Sequence, residues 1–235
     1  MSIAPPRKRH PYDQWAPDAR ALDLVGDKWT LLIVRDLMTG PRRFVEIQRI
    51  LPGISTEQLR TRLNRMVADG LLSRQRYREV PPRVDYELTE RARELAPVLA
   101  ELGRWGYNWT WGAPRPGEEI DVGAMLRLAP GLLAPPAKLR GTLAITVSAR
   151  SKGRPEVSYV LTARDGRVAV TEGAAPDADD ADARVHGAEP AWISALGPEG
   201  SREGLEVTGD TALAGVLLDG LGPAAAREAA ASAAA

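Results

Sequence analysis

The apolar period of this chain changes at Gly70, and few folds accommodate the change. Leu59, Leu63, Met66 and Val67 recur at helical spacing, with Ser55 as N-cap, until Gly70 ends the run. Leu71 to Tyr77 and Val84 to Leu88 then have strand character. The segment between them, Arg78-Glu79-Val80-Pro81-Pro82-Arg83, cannot be helical across its proline pair. Upstream, Phe44, Ile47 and Ile50 form one stripe of a short helix, broken by Leu51-Pro52-Gly53-Ile54. The order helix, turn, helix, strand, stiff loop, strand predicts a helix-turn-helix with a wing.

Between Ser55 and Arg83 lie seven arginines and three acidic residues. A charged helix is ordinarily a solvated face, but basic side chains recur here on the helix, on the strand (Arg74, Arg76) and on the wing, which favours nucleic acid. At 100° per residue, Glu57, Gln58, Thr61, Asn64 and Arg65 lie opposite the apolar stripe, with Arg60 and Arg62 on the flanks. Ser55, Thr56, Gln58 and Thr61 are therefore expected on the DNA side, Gln58 and Thr61 against base edges and Arg65 as a guanine reader. Arg42, Arg43, Arg60 and Arg62 are expected at phosphates, Arg76 on the wing strand, and Arg78 or Arg83 at the minor groove.

Five segments carry a family resemblance: Val25-Gly26-Asp27-Lys28-Trp29, Gly40-Pro41-Arg42-Arg43-Phe44, Leu51-Pro52-Gly53-Ile54-Ser55, Ala68-Asp69-Gly70-Leu71 and Glu79 to Thr89. Together they resemble the HxlR family of bacterial winged-helix regulators over about residues 15 to 110. The resemblance implies a MarR-related dimer that binds a double-stranded operator and represses, or less often activates, nearby genes. Many members carry a cysteine near the N-terminus that serves redox sensing. This chain has no cysteine, so thiol-based sensing is not expected.

The net charge of zero conceals an asymmetry. Residues 1 to 116 hold 20 basic and 14 acidic side chains, residues 117 to 235 hold 11 and 17. The sign changes near the linker Trp111-Gly112-Ala113-Pro114-Arg115-Pro116-Gly117, and 235 residues suffice for two cores. The expected organisation is a domain over 1–111, a second over 118–222 and a low-complexity tail over 223–235. No apolar run is long enough for a membrane span and the start lacks a signal-peptide core, so a cytoplasmic protein is expected. Arg7 to His10 is either an arm reaching a neighbouring groove or a disordered start.

In the first domain, Asp18 to Val25 predicts a helix, and Asp27 caps another carrying Trp29, Leu32, Ile33 and Leu37, with Trp29 in the core. Thr89 to Trp109 reads as one long helix bent at Pro97. Its Leu95, Leu99, Leu102, Trp105 and Trp109 offer more apolar surface than a small domain covers, so they are expected either at a homodimer interface or packed against the second domain. A two-fold dimer places two recognition helices about 34 Å apart, and hence calls for an imperfect palindrome.

The second domain opens with a helical stretch through Leu133. Leu139 to Ala149 and Val157 to Leu161 alternate as half-buried strands, and Asp165-Gly166 is a hairpin signal leading to Val168 and Val170. Pro176 to Asp182 reads as a solvated acidic loop. The strand Ala183 to Gly187, a helix with Trp192, Ile193 and Leu196, the strand Leu205 to Asp210 and a last helix with Leu213, Val216, Leu217 and Leu221 follow. This succession is similar to the C-terminal half of sterol-carrier-protein type 2 domains, over about residues 120 to 222, which implies an antiparallel sheet covered by helices around an apolar cavity. The fold class is thus α+β. Met125, Leu128, Tyr159, Trp192, Leu213 and Leu217 are candidates to line a site for an apolar small molecule or lipid, though a filled core is equally compatible.

Enzymatic chemistry finds little support. With two histidines, His10 and His186, and no cysteine, no thiolate nucleophile or histidine metal pair can be assembled, so no catalytic residue, metal or cofactor is expected. The readings that remain are a DNA-binding regulator whose operator affinity responds to an apolar molecule, a carrier or buffering protein for apolar molecules dimerised by its N-terminal half, and an interaction scaffold.

Overall fold

Helix α4 (Thr56–Ala68) follows directly from its sequence. Leu59, Leu63 and Met66 are buried along one side, and Ser55 caps its start. Beyond the C-cap Asp69, Gly70 takes φ +70°, Leu71 N donates to Met66 O at 2.8 Å and Gly70 N to Val67 O at 3.1 Å. These paired bonds form a Schellman stop, and a positive φ favours glycine at that position. The computed structural model describes residues 11–78, 83–148, 156–173 and 180–222. The arm at Arg7 to His10, the wing tip Glu79 to Pro82 and the tail from residue 223 lie outside the described residues.

The chain divides into two compact units, Met1–Leu95 and Ala96–Ala235. In the first, helices α1 (Pro17–Val25), α2 (Thr30–Asp36) and α3 (Phe44–Ile50) precede α4. Strands β2 (Leu72–Tyr77) and β3 (Arg83–Leu88) pair antiparallel, Leu72 opposite Leu88 and Tyr77 opposite Arg83. A two-residue strand β1 (Arg42–Arg43), too short to show a period, adds to the other edge of β3. The core holds Ile33, Val34, Leu37, Ile47, Leu51, Leu59, Leu63 and Met66. Trp29, expected inside, is half-buried, with the Lys28 ammonium 4.8 Å from its ring centroid.

The single helix expected over Thr89 to Trp109 is two. Thr89 caps α5 (Glu90–Arg93), and α6 (Ala96–Trp109) begins after Glu94 and Leu95. Pro97 lacks an N–H and its ring clashes with the carbonyl four residues back, so it is accommodated in the first turn of a new helix rather than inside a bent one.

Helix α6 belongs to the second unit rather than the first. Its Ala100 and Tyr107 pack with Leu132, beside Met125 and Leu128, and the Tyr107 hydroxyl donates to Leu221 O at 2.8 Å. Helices α7 (Val122–Leu126) and α8 (Ala129–Leu132) precede a five-stranded sheet of β4 (Gly141–Ser148), β5 (Val157–Arg164), β6 (Arg167–Glu172), β7 (Ala183–Ala188) and β8 (Leu205–Gly209). Their order is β6-β5-β4-β7-β8. The expected hairpin is present, with Asp165 and Gly166 both at positive φ.

The sheet is mixed, however, and not the antiparallel one expected: β4 and β7 run parallel. Strand β7 begins at the end at which β4 begins, and Ala181 just before it packs with Ala144 and Val160 on one face of the sheet. The other face, with α9 (Glu189–Leu196) and α10 (Thr211–Leu221), encloses the main core of Leu143, Ile145, Leu161, Trp192, Leu213 and Leu217. Among the described residues, no helix is long and apolar enough to cross a membrane.

Candidate nucleic-acid interface

The outward side of α4 starts from its cap. Ser55 Oγ accepts from Gln58 N at 3.2 Å, and Gln58 Oε1 accepts from Ser55 N at 3.1 Å. This capping box means that Ser55 and Gln58, both expected to meet DNA, also hold the helix start. Thr56 Oγ1 accepts from Gln48 Nε2 at 2.9 Å, tying α3 to α4 across the turn. Thr61 and Asn64 are exposed, and Arg60 is exposed beside Glu57 at 3.0 Å. A cleft of about 260 Å3 lined by Trp29, Glu57, Gln58, Thr61 and Arg62 opens on this side of the helix.

The arginines expected at DNA fall into two groups. Arg43, Arg60, Arg76 and Arg78 are exposed, as is Arg74 on β2. Arg42, Arg62, Arg65 and Arg83 are instead engaged within the chain. Arg42 Nε donates to Asp36 O at 2.9 Å and its Nη2 to Thr39 Oγ1 at 3.1 Å. Arg62 Nη1 lies 3.0 Å from Asp27 Oδ2, and Arg65 Nε 3.6 Å from Asp69. Arg83 meets the buried Asp85 at 2.6 Å, and its guanidinium carbon sits 5.1 Å from the Tyr77 ring centroid. Hydrogen bonding from Arg83, reinforced by the charges of Arg83 and Arg43 against the cost of burial, holds the Asp85 carboxyl below its ordinary value.

Two residues of this region were not singled out from sequence as site residues, Trp29 and Asp27. The sequence predicts Asp27 as a cap, and its carboxylate accepts from Trp29 N and Thr30 N. Its bond to Arg62 joins residues 35 positions apart, which no local pattern reports.

On α6, the exposed apolar side chains are Val98, Leu102, Trp105 and Trp109, whereas Leu99 is buried; Leu95, which precedes the helix, is half-buried. Four of the six expected ligand-lining residues, Tyr159, Trp192, Leu213 and Leu217, are buried in the main core of the second unit, with Met125 packed against it. Leu128 borders the smaller cluster with Ala100 and Tyr107. Trp192 Nε1 donates to Thr146 O at 3.1 Å. His186 is exposed on β7, its Nε2 2.8 Å from Ser148 Oγ.

A helix-turn-helix followed by a two-stranded wing, with polar and basic side chains outward, defines the winged-helix class of transcription regulators. The relatives narrow this further. A family described as HxlR-like helix-turn-helix matches residues 24–113. The HTH-type transcriptional regulator sll1512 of Synechocystis is 41% identical over 93 residues, covering 40% of this chain and 69% of that protein. The regulator BH0655 of Halalkalibacterium halodurans is 38% identical over 109 residues, covering 46% of this chain and 96% of that one. A crystal structure of the HTH-type transcriptional regulator ytcD is 36% identical, covering 40% of this chain and 95% of its own, with TM-score 0.39. The chain belongs to the HxlR family of helix-turn-helix transcriptional regulators.

Proposed function

We propose that the chain is a dimeric DNA-binding transcription regulator, acting as a repressor on an imperfectly palindromic operator. The supporting observation is the exposed surface of α4 and the wing: Gln58, Thr61 and Asn64 outward, with Arg43, Arg60, Arg74, Arg76 and Arg78 exposed in the same unit. Amide and hydroxyl groups read base edges, and guanidinium groups neutralise phosphates. Fluorescence anisotropy with duplexes enriched from a random pool tests this. The logarithm of affinity falls linearly with the logarithm of salt concentration, and Gln58→Ala enriches a different sequence. Binding to no duplex, or an affinity that does not change with salt, would refute the reading.

Dimerisation is assigned to the exposed stripe of α6, whose Val98, Leu102, Trp105 and Trp109 recur at helical spacing. Sedimentation should show a dimer that Leu102→Glu with Trp105→Glu converts to monomers.

The finer reading is that the second unit holds an apolar small molecule or lipid, in the manner of a sterol carrier, and that this ligand modulates operator binding. Half-buried Met125 and Leu128 beside a helix-covered apolar sheet face support it. Trp192 and Leu217, both fully buried, oblige any such ligand to displace packed side chains. Mass spectrometry of co-purifying molecules, followed by adding them to the anisotropy assay, tests the link. A bound lipid without salt-dependent DNA affinity would instead indicate a carrier.

A further inference from the structure

Asp27 is an acidic residue with a 2% exposed side chain, lying next to a surface that the proposed function turns toward DNA. Its Oδ1 accepts from Trp29 N at 2.9 Å and Thr30 N at 3.1 Å, while its Oδ2 accepts from the buried Thr30 hydroxyl and from Arg62 Nη1 at 3.0 Å. One carboxylate therefore closes the start of α2 and grips the middle of α4. Arg62, with a 17% exposed side chain, follows the outward Thr61 and precedes the buried Leu63. Apolar contacts along Leu59, Leu63 and Met66 are non-directional, and the directional bonds of Ser55, Thr56 and Gln58 act only at the first turn of the helix. The Asp27–Arg62 pair adds a charge-assisted bond of defined geometry in the middle of the helix.

We propose that Asp27 and Arg62 are a positioning pair that sets the roll of α4, so that Gln58 and Thr61 face the groove, and that Arg62 makes no phosphate contact of its own. The inference rests on the DNA-binding reading for its consequence but not for its structural content. It inverts a simple electrostatic expectation. Removing a negative charge beside DNA should tighten binding, whereas removing this one unlocks the helix and weakens it.

The test measures salt-dependent affinity for a duplex enriched by the wild-type chain, using Asp27→Asn, Arg62→Ala, Arg62→Lys, the double variant Asp27→Asn with Arg62→Ala, and Arg76→Ala as a phosphate-contact control. The expected result is a loss of about tenfold or more for Asp27→Asn and for Arg62→Ala, with the wild-type salt slope retained. Arg62→Lys should recover part of the loss, and the double variant should be no weaker than the worse single one. Arg76→Ala should lower the slope by about one. Tighter binding by Asp27→Asn, or a slope lowered by about one in Arg62→Ala, would overturn the proposal.

Amide hydrogen exchange along Leu59 to Arg65, measured without DNA, should be faster in Asp27→Asn and Arg62→Ala, and unchanged protection would also overturn it. If the wild type and Arg76→Ala alike bind no duplex, the regulator reading has failed, and the exchange data still decide whether the pair braces the helix. Circular dichroism confirms folding; should Asp27→Asn not fold, Arg62→Lys and Arg62→Gln carry the comparison.

Discussion

In the first unit Arg43, Arg60, Arg74, Arg76 and Arg78 lie exposed, whereas in the second the Arg127 side chain is 2% exposed, 2.7 Å from Asp121 and 3.0 Å from Glu172. The same residue type thus serves opposite ends. Exposed guanidiniums remain hydrated and ready to meet a polyanion, at little benefit to stability. A buried one is held by two carboxylates from different elements, and its removal would leave them facing each other. Arg42 and Arg62 in the first unit are half-buried and also bonded within the chain, though their sequence neighbourhood matches that of the exposed arginines. Under the proposed DNA-binding function, exposure of the guanidinium, more than local charge density, separates the arginines that would meet DNA from those that hold the fold.

The sharpest way to break this contrast is Arg127→Ala. Stranding Asp121 and Glu172 should cost about 3 kcal/mol in urea denaturation, with no change in the salt slope of DNA binding. A loss below about 1 kcal/mol would mean that the buried arginine is as dispensable as an exposed one.

Asp85 offers an intermediate case, buried itself but paired with a partly exposed Arg83. Because the folded-state carboxyl is held below its ordinary value, its charged form contributes stability that is complete above the usual aspartate range. That contribution is lost as pH falls through the lowered value. Asp85→Asn should cost about 1 kcal/mol at neutral pH, reduced by the solvation of Arg83, and should flatten the fall in melting temperature below about pH 4. An equally steep acid transition in the variant would assign that transition to other groups.

Arg76→Ala should have the smallest effect on folding. Its melting transition should stay within about 0.5 kcal/mol of wild type, while DNA affinity drops and the salt slope falls by about one. Destabilisation comparable to that of Arg127→Ala would erase the distinction between the units.

Where structure depended on neighbours in the chain, the sequence was informative. The cap at Ser55, the stop at Gly70, the strand pair flanking the wing and the Asp165-Gly166 hairpin all arise from backbone chemistry within a few residues. The features that escaped are settled elsewhere in the chain. Strand β1 exists because β3 offers an edge to two residues. The break before α6 turns on where Pro97 is best placed once Ala100 and Tyr107 find Leu132, and the parallel neighbour of β4 lies 40 residues downstream. In the candidate interface the polar face of α4 was legible from its periodicity. The commitment of Arg62 to Asp27 was not, because an arginine on a helix flank looks alike in one dimension whether it reaches outward or back.

The parallel pairing of β4 with β7 carries a consequence for how the protein is made. Synthesis from the N-terminus completes residues 1–95, with α4 and the β2–β3 pair, before any strand of the larger sheet has emerged. Strand β4 can then pair with β5, but its other edge stays open until Ala183–Ala188 has been translated. A nascent chain stalled in that interval would already carry its helix-turn-helix half while the second edge of β4 stays unpaired.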